Sequence, residues 1–176
     1  LASVLGPAAA QVEPAAAASQ AAPSAPRLSA AVLTPVQVPG TTPMTAAAVD
    51  LAAAGYTEHE FYATGQAHRY RGALRGAQAT AEVIDGGWPY RTRVLVRTPK
   101  AAQFNGTLVV EWANVTMGQD VDFAFAESYA HLLREGYAVA VVSAQRVGVE
   151  RLKTWSPQRY GDLNVAADST DPKTGE

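Results

Sequence analysis

Hydrogen-bonding residues and glycines follow two short apolar runs of the sequence, at residues 107–112 and 137–142. The first run leads into residues 113–118 and the second into residues 143–148, both rich in polar side chains and glycine. In open α/β sheets, ligands and chemistry gather at the carboxyl ends of the strands. A loop in that place can direct backbone N–H groups at a negative charge that develops during a reaction. The pattern therefore favours an enzyme-like α/β domain.

The loop after the first run is the stronger of the two candidates. Gly118 lets the backbone approach a ligand closely, and Asn114 offers a side-chain donor. The alternative is that this loop is only a polar connection into the next helix. Glu111, near the end of the first run, needs a partner if it is buried, and Arg146 or Arg151 is the candidate.

Nucleophilic catalysis by a serine of this chain is not expected. In α/β sheets the nucleophile usually lies in a G-x-S-x-G turn, and the sequence contains no such pentapeptide. Ser143 follows a strand but lacks the second glycine, so we expect its hydroxyl to be structural. The three histidines, His59, His68 and His131, are not placed to activate a serine at the end of a parallel strand. We therefore expect neither Ser143 nor these histidines to act as a nucleophile or its base.

Composition excludes several other classes of site. The chain contains no cysteine and no histidine pair with the spacing of a zinc site. The acidic residues between 162 and 176 lack the spacing of a hand-type calcium loop. The net charge of −2 gives no reason to expect a nucleic-acid partner. No segment approaches the roughly 20 apolar residues of a membrane span. We therefore expect no metal, no cofactor and no membrane span.

The two ends of the chain differ from its middle. Residues 1–30 are mostly Ala, Pro and Ser, which indicates either the remnant of a secretory signal or a disordered linker. A signal remnant would place the protein in a secreted or extracytoplasmic location. Residues 162–176 are polar and form a long loop, which suggests a fragment cut at both ends.

The first elements of the domain are predicted to be short. Residues 29–40 contain Pro35 and Pro39, which remove ladder donors and predict an extended edge segment. Thr45 is predicted to cap a short helix over residues 46–54, with Gly55 as its stop.

An antiparallel region is predicted next. A strand over residues 58–67 is followed by a loop that contains the arginines of residues 69–75. Residues 79–84 and 90–98 would pair as a hairpin around a turn at residues 85–87. The second of these strands alternates strictly between Val or Thr and residues that are mostly Arg, which is typical of a half-solvated strand.

A parallel unit is predicted to follow. The runs at residues 107–112 and 137–142 are apolar enough for strands buried on both faces. Between them, residues 122–134 form an amphipathic helix that Asp122 caps and Gly136 ends. Strand, helix and strand with short connections make a parallel crossover. The predicted fold class is therefore α/β, with N-terminal antiparallel strands leading into a parallel βαβ unit.

Several motifs resemble a bacterial α/β-hydrolase-domain family whose members are mostly uncharacterised and esterase-like. The motifs that carry the resemblance are EWANVTMG at 111–118, EGY at 135–137, VSAQRVGV at 142–149 and RYGDL at 159–163, of which residues 143–148 are the most specific. AGY at 54–56, followed by EF at 60–61 and RYRG at 69–72, is similar to the N-terminal part of the family. The resemblance covers about residues 36–163 and implies that residues 31–176 are the N-terminal part of an α/β-hydrolase domain with an incomplete sheet.

The resemblance also implies site residues. The loop after the first buried strand would be the oxyanion loop (residues 114–118). Its candidate members are Asn114, Val115, Thr116, Met117 and Gly118. Three further residues would lie at the substrate mouth or support the loops: Gln145, Arg146 and Tyr160. In the family, the nucleophile, the acid and the histidine all lie downstream of the position of Asp162, so this chain would lack all three.

The function that the resemblance implies is therefore partial. The chain would be an N-terminal fragment of a serine hydrolase that acts on a small-molecule carboxylic ester without a cofactor. One alternative is a non-catalytic secreted domain that binds a ligand or partner. Another is one chain of a nicked hydrolase, completed by a companion polypeptide that carries the rest of the fold.

Overall fold

A computed structural model describes residues 30–75 and 78–165 of the chain. The predicted signal remnant or linker and the acidic residues after Val165 lie outside the described residues, so the structure says nothing of them. Within the described ranges, the strands are β1 (Val32–Pro35), β2 (Tyr56–Arg75), β3 (Gln78–Pro99), β4 (Leu108–Trp112) and β5 (Ala138–Val142). The α-helices are α1 (Phe123–Arg134), α2 (Arg146–Trp155) and α3 (Pro157–Tyr160), and a short 3-10 helix spans Ala101–Gln103.

The described strands form one sheet in the order β1-β2-β3-β5-β4. The first pairs are antiparallel, whereas β4 and β5 are parallel neighbours joined through α1. The predicted α/β class, with antiparallel strands leading into a parallel unit, is confirmed. β1 lies at one edge of the sheet and ends at Pro35, as the proline pattern predicts. α1 ends just before Gly136, whose φ of 73° allows the chain to turn out of the helix.

The predicted helix over residues 46–54 does not form. The chain makes a series of turns there, and Gly55 keeps the expected positive φ of 78°. Side chains bind two backbone donors of this segment, and the first is Ala47 N–H, from which the Glu58 carboxylate accepts at 3.1 Å. Asp50 likewise accepts from Ala53 N–H at 2.9 Å. Local side-chain acceptors of this kind compete with helix formation.

The predicted loop at residues 69–75 and the turn at residues 85–87 are also wrong. β2 runs for 20 residues and β3 for 22, and the two pair with each other along most of their length. The glycines that predicted a turn lie instead in a region of irregular strand pairing near His68, where the register shifts twice. Gly87 there has a φ of 84°, and a Cβ on Gly86 would lie 2.0 Å from the His68 ring. Glycines in a strand often mark such bulges instead of chain reversals.

One face of the sheet is packed and the other is not. The covered face carries Leu95, Val139 and Val141, which pack with Phe125 and Leu132 of α1. The open face carries three exposed apolar side chains of β4: Leu108, Val110 and Trp112. Burial of β5 is confirmed, but the predicted burial of β4 on both faces is wrong. β4 is the edge strand of the described sheet, and α1 lies on the covered face alone.

Candidate functional site

The two predicted strand-end loops lie side by side. Parallel pairing places Trp112 opposite Val142, so both strands end at the same edge of the sheet. The pairing continues one residue further, because Ala113 N–H donates to the Val142 carbonyl at 3.0 Å. Gln145 Nε2 then donates to the Ala113 carbonyl at 3.0 Å. Gln145, a predicted mouth or support residue, therefore ties the end of β5 to the start of the oxyanion loop.

The oxyanion loop is closed at its base and turned internally. Asn114 and Val121 exchange two backbone hydrogen bonds of 3.0 and 2.8 Å, which form the base. Inside the loop, Gly118 N–H donates to the Val115 carbonyl at 2.9 Å, with Gly118 at a φ of 74°. Asn114 Oδ1 accepts from Thr116 N–H at 2.9 Å. Thus the asparagine and the glycine shape the loop from within.

These bonds divide the five predicted oxyanion residues into two groups. The N–H groups of Asn114, Thr116 and Gly118 are already engaged. Across residues 30–75 and 78–165, no backbone or side-chain acceptor takes the N–H groups of Val115 and Met117. A backbone N–H without an acceptor is available to a ligand or to water. The loop therefore presents two alternate donors, with the Met117 side chain 69% exposed.

The buried carboxylate of Asp120 lies beneath the loop. Its Oδ2 is 3.3 Å from Nη2 of Arg93, whose Nε donates to Ser143 Oγ at 2.9 Å. Burial raises the pKa of Asp120, and hydrogen bonding to Ser143 and the charge of Arg93 offset only part of that rise. Ser143 is itself fully buried. Its hydroxyl is structural, as expected, and is closed to substrate.

Tyr160 belongs to the same interior instead of the surface. Its side chain is fully buried, and its hydroxyl donates to Glu60 at 2.6 Å and accepts from Met44 N–H at 3.2 Å. Burial first, and then the hydrogen bond to Glu60, raises the pKa of Tyr160. Glu60 is also bound by Arg159 at 2.7 Å. Tyr160 is therefore held in the interior by Glu60 and Met44, and its predicted role at the mouth or as a support of the loops stays a prediction.

Arg146 and Glu111 do not meet. Arg146 begins α2 and is exposed. The Glu111 carboxylate accepts from Ala124 N–H at 2.9 Å, at the first turn of α1. The positive end of a helix dipole favours a carboxylate there. The predicted pairing of Glu111 with Arg146 or Arg151 is therefore wrong.

A second ion cluster surrounds Arg97, which is 1% exposed. Arg97 donates to Glu58 at 2.8 Å and to Asp122 at 2.6 Å, and its guanidinium lies 3.8 Å from the centre of the Phe125 ring. Asp122 stands at the predicted N-cap but makes no side-chain cap bond. Its carboxylate is used by Arg97 instead.

Sequence reasoning missed both clusters, although a signal exists. Glu58 and Glu60 lie on one face of β2, and Arg93 and Arg97 lie on the matching face of β3. Two acids and two arginines with even spacing on neighbouring strands are what cross-strand ion pairs require. Only the pairing register, however, shows that they meet in the interior.

The residues that the structure describes contain no group of three or more His, Asp or Glu side chains that could hold a metal ion. None of the helices in that part of the chain combines the length and the apolar character that crossing a bilayer requires.

Comparison with known proteins gives one match. A family model described as an alpha/beta hydrolase domain matches residues 20–174, which is most of the chain. No curated protein and no solved structure matches the chain.

Proposed function

The chain belongs to the α/β-hydrolase domain family, and from this premise we propose that it supplies the oxyanion loop of a serine hydrolase that acts on carboxylic esters. The family indicates a hydrolase with a small-molecule substrate. The ester substrate and the serine mechanism are the finer parts of the proposal. The nucleophile, the acid and the histidine would come from outside residues 1–176.

The observation that carries the proposal is the pair of free N–H groups at Val115 and Met117. They belong to a loop at the carboxyl end of a parallel strand, where α/β enzymes place their chemistry. The base of the loop is fixed by Val121 and by Gln145, so the two donors are held without a ligand. Preorganised donors of this kind stabilise a developing negative charge.

The proposed reaction follows ordinary acyl transfer. A serine oxygen attacks the ester carbonyl, and the carbonyl oxygen becomes an oxyanion as the tetrahedral intermediate forms. The N–H groups of Val115 and Met117 donate to that oxygen. The histidine takes the serine proton and gives it to the alcohol, which leaves as the C–O bond breaks. Water, deprotonated by the same histidine, then attacks the acyl-serine, which releases the acid and restores the serine hydroxyl. Loss of one such donor typically lowers kcat by about 10²–10³.

The open face of the sheet is evidence for a second polypeptide that binds this part of the fold. Trp112 and Val142 line an apolar groove of about 500 Å³ together with Leu33, Ala63 and Tyr90. β4 also leaves one edge of the described sheet without a neighbouring strand. Contiguous exposed apolar surface marks interaction sites, and a free edge accepts a further strand. We propose that a polypeptide carrying the rest of the fold covers this face and brings the nucleophile.

A fluorophosphonate probe tests the serine and its source. The native protein is labelled in an extract of its source cells, isolated through this chain without denaturation, and mapped by peptide mass spectrometry. We expect one labelled serine on a polypeptide segment outside residues 1–176. Labelling of a serine within residues 1–176, or ester hydrolysis without any labelled serine, would overturn the proposal.

Backbone ester substitution tests the oxyanion loop. An α-hydroxy acid replaces the residue at position 115 or 117, which removes only the N–H group. In the native, ester-hydrolysing protein we expect kcat to fall about 10²–10³-fold at either position with KM little changed. The matched control is position 116, whose N–H is already bound to Asn114. Equal losses at positions 115, 116 and 117 would contradict the assignment.

The same isolation tests two remaining alternatives. A non-catalytic binding domain is favoured by the apolar groove on the open face, and it predicts that neither a labelled serine nor ester hydrolysis accompanies the chain. We also propose a secreted or extracytoplasmic location, supported by the Ala, Pro and Ser composition of residues 1–30. Fractionation of the source cells, with recovery of the chain from the cytoplasm, would contradict that location.

A further inference from the structure

Asp120 is a buried acid close to the oxyanion loop that has no role in the proposed chemistry. It lies one residue before Val121, which forms the base of the loop, and its side chain is 1% exposed. Within the described residues, Asp120 Oδ1 has no hydrogen-bond partner. A buried charged group of this kind is costly, so its presence calls for a reason.

The surroundings of Asp120 join three elements. Oδ2 contacts Arg93 of β3 at 3.3 Å, and Arg93 binds Ser143 after β5. On the other side, a Cβ on Gly148 of α2 would lie 1.8 Å from Asp120 Oδ1 and 3.2 Å from the Val115 side chain. α2 therefore presses directly on Asp120 and on one of the two donor residues.

We propose that Asp120 is a positioning residue, whose carboxylate binds Arg93 and so sets the direction of the Val115 and Met117 N–H groups. This deepens the proposed function and rests on it. Asp120 itself touches no substrate. It acts through the loop, because it is joined by the chain to Val121 and packed beside Val115.

The proposal depends on whether the Asp120 carboxyl group is ionised. The groups that face it are Arg93 from β3, the Ser143 hydroxyl and the first turn of α2, whose Arg146 is exposed. Glu60 of β2 shares Arg93 at 3.7 Å. Burial raises the pKa of Asp120 above its ordinary value of 3.8. Above that raised pKa the carboxylate holds Arg93, and below it the ionic contact is lost and the loop relaxes.

Amide NMR of the ¹⁵N-labelled protein over pH 3–8 tests this directly. We expect the Val115 and Met117 amide signals to titrate together with the Asp120 carboxyl signal, at a midpoint above 3.8. In Asp120→Asn that shared titration should disappear, and exchange of the Asn114 and Val121 amides should speed up about tenfold or more. Unchanged titration of both donors in Asp120→Asn would overturn the proposal.

Two further variants keep the test decisive. Asp122→Asn is the matched control, because this neighbouring carboxylate binds Arg97 and should leave the shared titration in place. Ser143→Ala removes a hydrogen bond that lowers the pKa of Asp120, so the shared midpoint should rise. If Asp120→Asn does not fold, a Ser143→Ala variant in which the Asp120 carboxyl midpoint moves and the Val115 and Met117 amide midpoints do not overturns the proposal.

The measurement needs no substrate and no nucleophile. If the loop titrates with Asp120, but the native protein isolated through this chain has neither esterase activity nor a labelled serine, the proposed function fails and the coupling stands. If the native protein is an active esterase but its Val115 and Met117 amide signals do not titrate with Asp120, the coupling fails and the proposed function stands.

Discussion

Two well-buried arginines and two strongly exposed apolar side chains lie on opposite faces of the sheet. On the covered face, Arg93 and Arg97 are 0% and 1% exposed. On the open face, Val110 and Trp112 of β4 are 61% and 65% exposed. Charged groups are thus the better buried of the two sets, which inverts the usual preference.

The burial of the arginines and the exposure of the apolar side chains each have a physical explanation. Arg93 and Arg97 are surrounded by acceptors from several segments, so their charges are matched in the interior. The apolar residues of the open face have no such neighbours and present a surface that water solvates poorly. The covered face therefore satisfies the charges that it buries, and the open face is the one that we propose a second polypeptide covers.

Arg93→Ala should have the largest effect, because it leaves the buried Asp120 carboxylate without its cation and the Met44 carbonyl without the Arg93 donor. Breaking a buried ion pair by removing one member costs about 3–5 kcal/mol. Urea unfolding measures the loss. The control is Arg91→Ala on the same strand, which is half-buried over the Tyr62 ring and should cost about 1 kcal/mol. Equal losses for the two variants would remove the distinction between network and surface arginines.

Gly148→Ala should come next. The added methyl group would overlap Asp120 and press on Val115, and overpacking of this kind costs about 1–3 kcal/mol. We expect a lower urea midpoint and shifted Val115 and Met117 amide signals. Val147→Ala, one residue away and exposed, is the control and should leave both unchanged. A fully stable Gly148→Ala would show that α2 does not constrain the loop.

Trp112→Thr should have little effect on stability, about 0.5 kcal/mol or less, because the side chain is 65% exposed and threonine suits a strand. Its effect should appear in association instead. We expect weaker binding of a hydrophobic dye such as ANS and less self-association in sedimentation velocity. Phe104→Thr, an exposed aromatic outside the groove, is the control. A large loss of stability in Trp112→Thr would mean that the open face is packed in solution.

The sequence predicted the parallel unit well, because its signals are local. The apolar runs around α1 and the stop at Gly136 depend on neighbours in the chain, and they placed Asn114 beside Gln145 correctly. The alternation of β3 gave the two faces of the strand but not which of them is covered. That choice depends on α1 and on the turns before β2, which are distant in sequence.

Other features could not be predicted from the sequence, because they also depend on contacts between distant residues. The glycines at 86–87 predict a turn. In the structure they lie at an irregularity in the pairing of two long strands. Which N–H groups of the oxyanion loop remain free depends on the Asn114 side chain and on Val121. The sequence could name the loop but could not divide its five residues into engaged and available donors.

The smallest expected effect concerns the pKa values of Asp85 and Asp120. Both carboxylates are bound to an arginine, but Asp85 lies at the surface and Asp120 is buried. Hydrogen bonds from Arg69, then from Trp88, lower the pKa of Asp85 to about 2, whereas burial raises that of Asp120. A carboxyl with a lowered folded-state pKa stabilises the protein above its ordinary value of 3.8, and this contribution is lost as the pH falls toward 2. For Asp120 the sign is opposite, since its contribution falls as the pH rises past 3.8.

Carboxyl ¹³C NMR should therefore show the two aspartates titrating on opposite sides of 3.8. Arg69→Gln should move the Asp85 midpoint up toward 3.8 and leave that of Asp120 where it is. If both aspartates titrate below 3.8, then Arg93 outweighs desolvation at Asp120. The covered face would then hold its carboxylates as firmly ionised as the surface does, and the pH dependence proposed for the loop would fail.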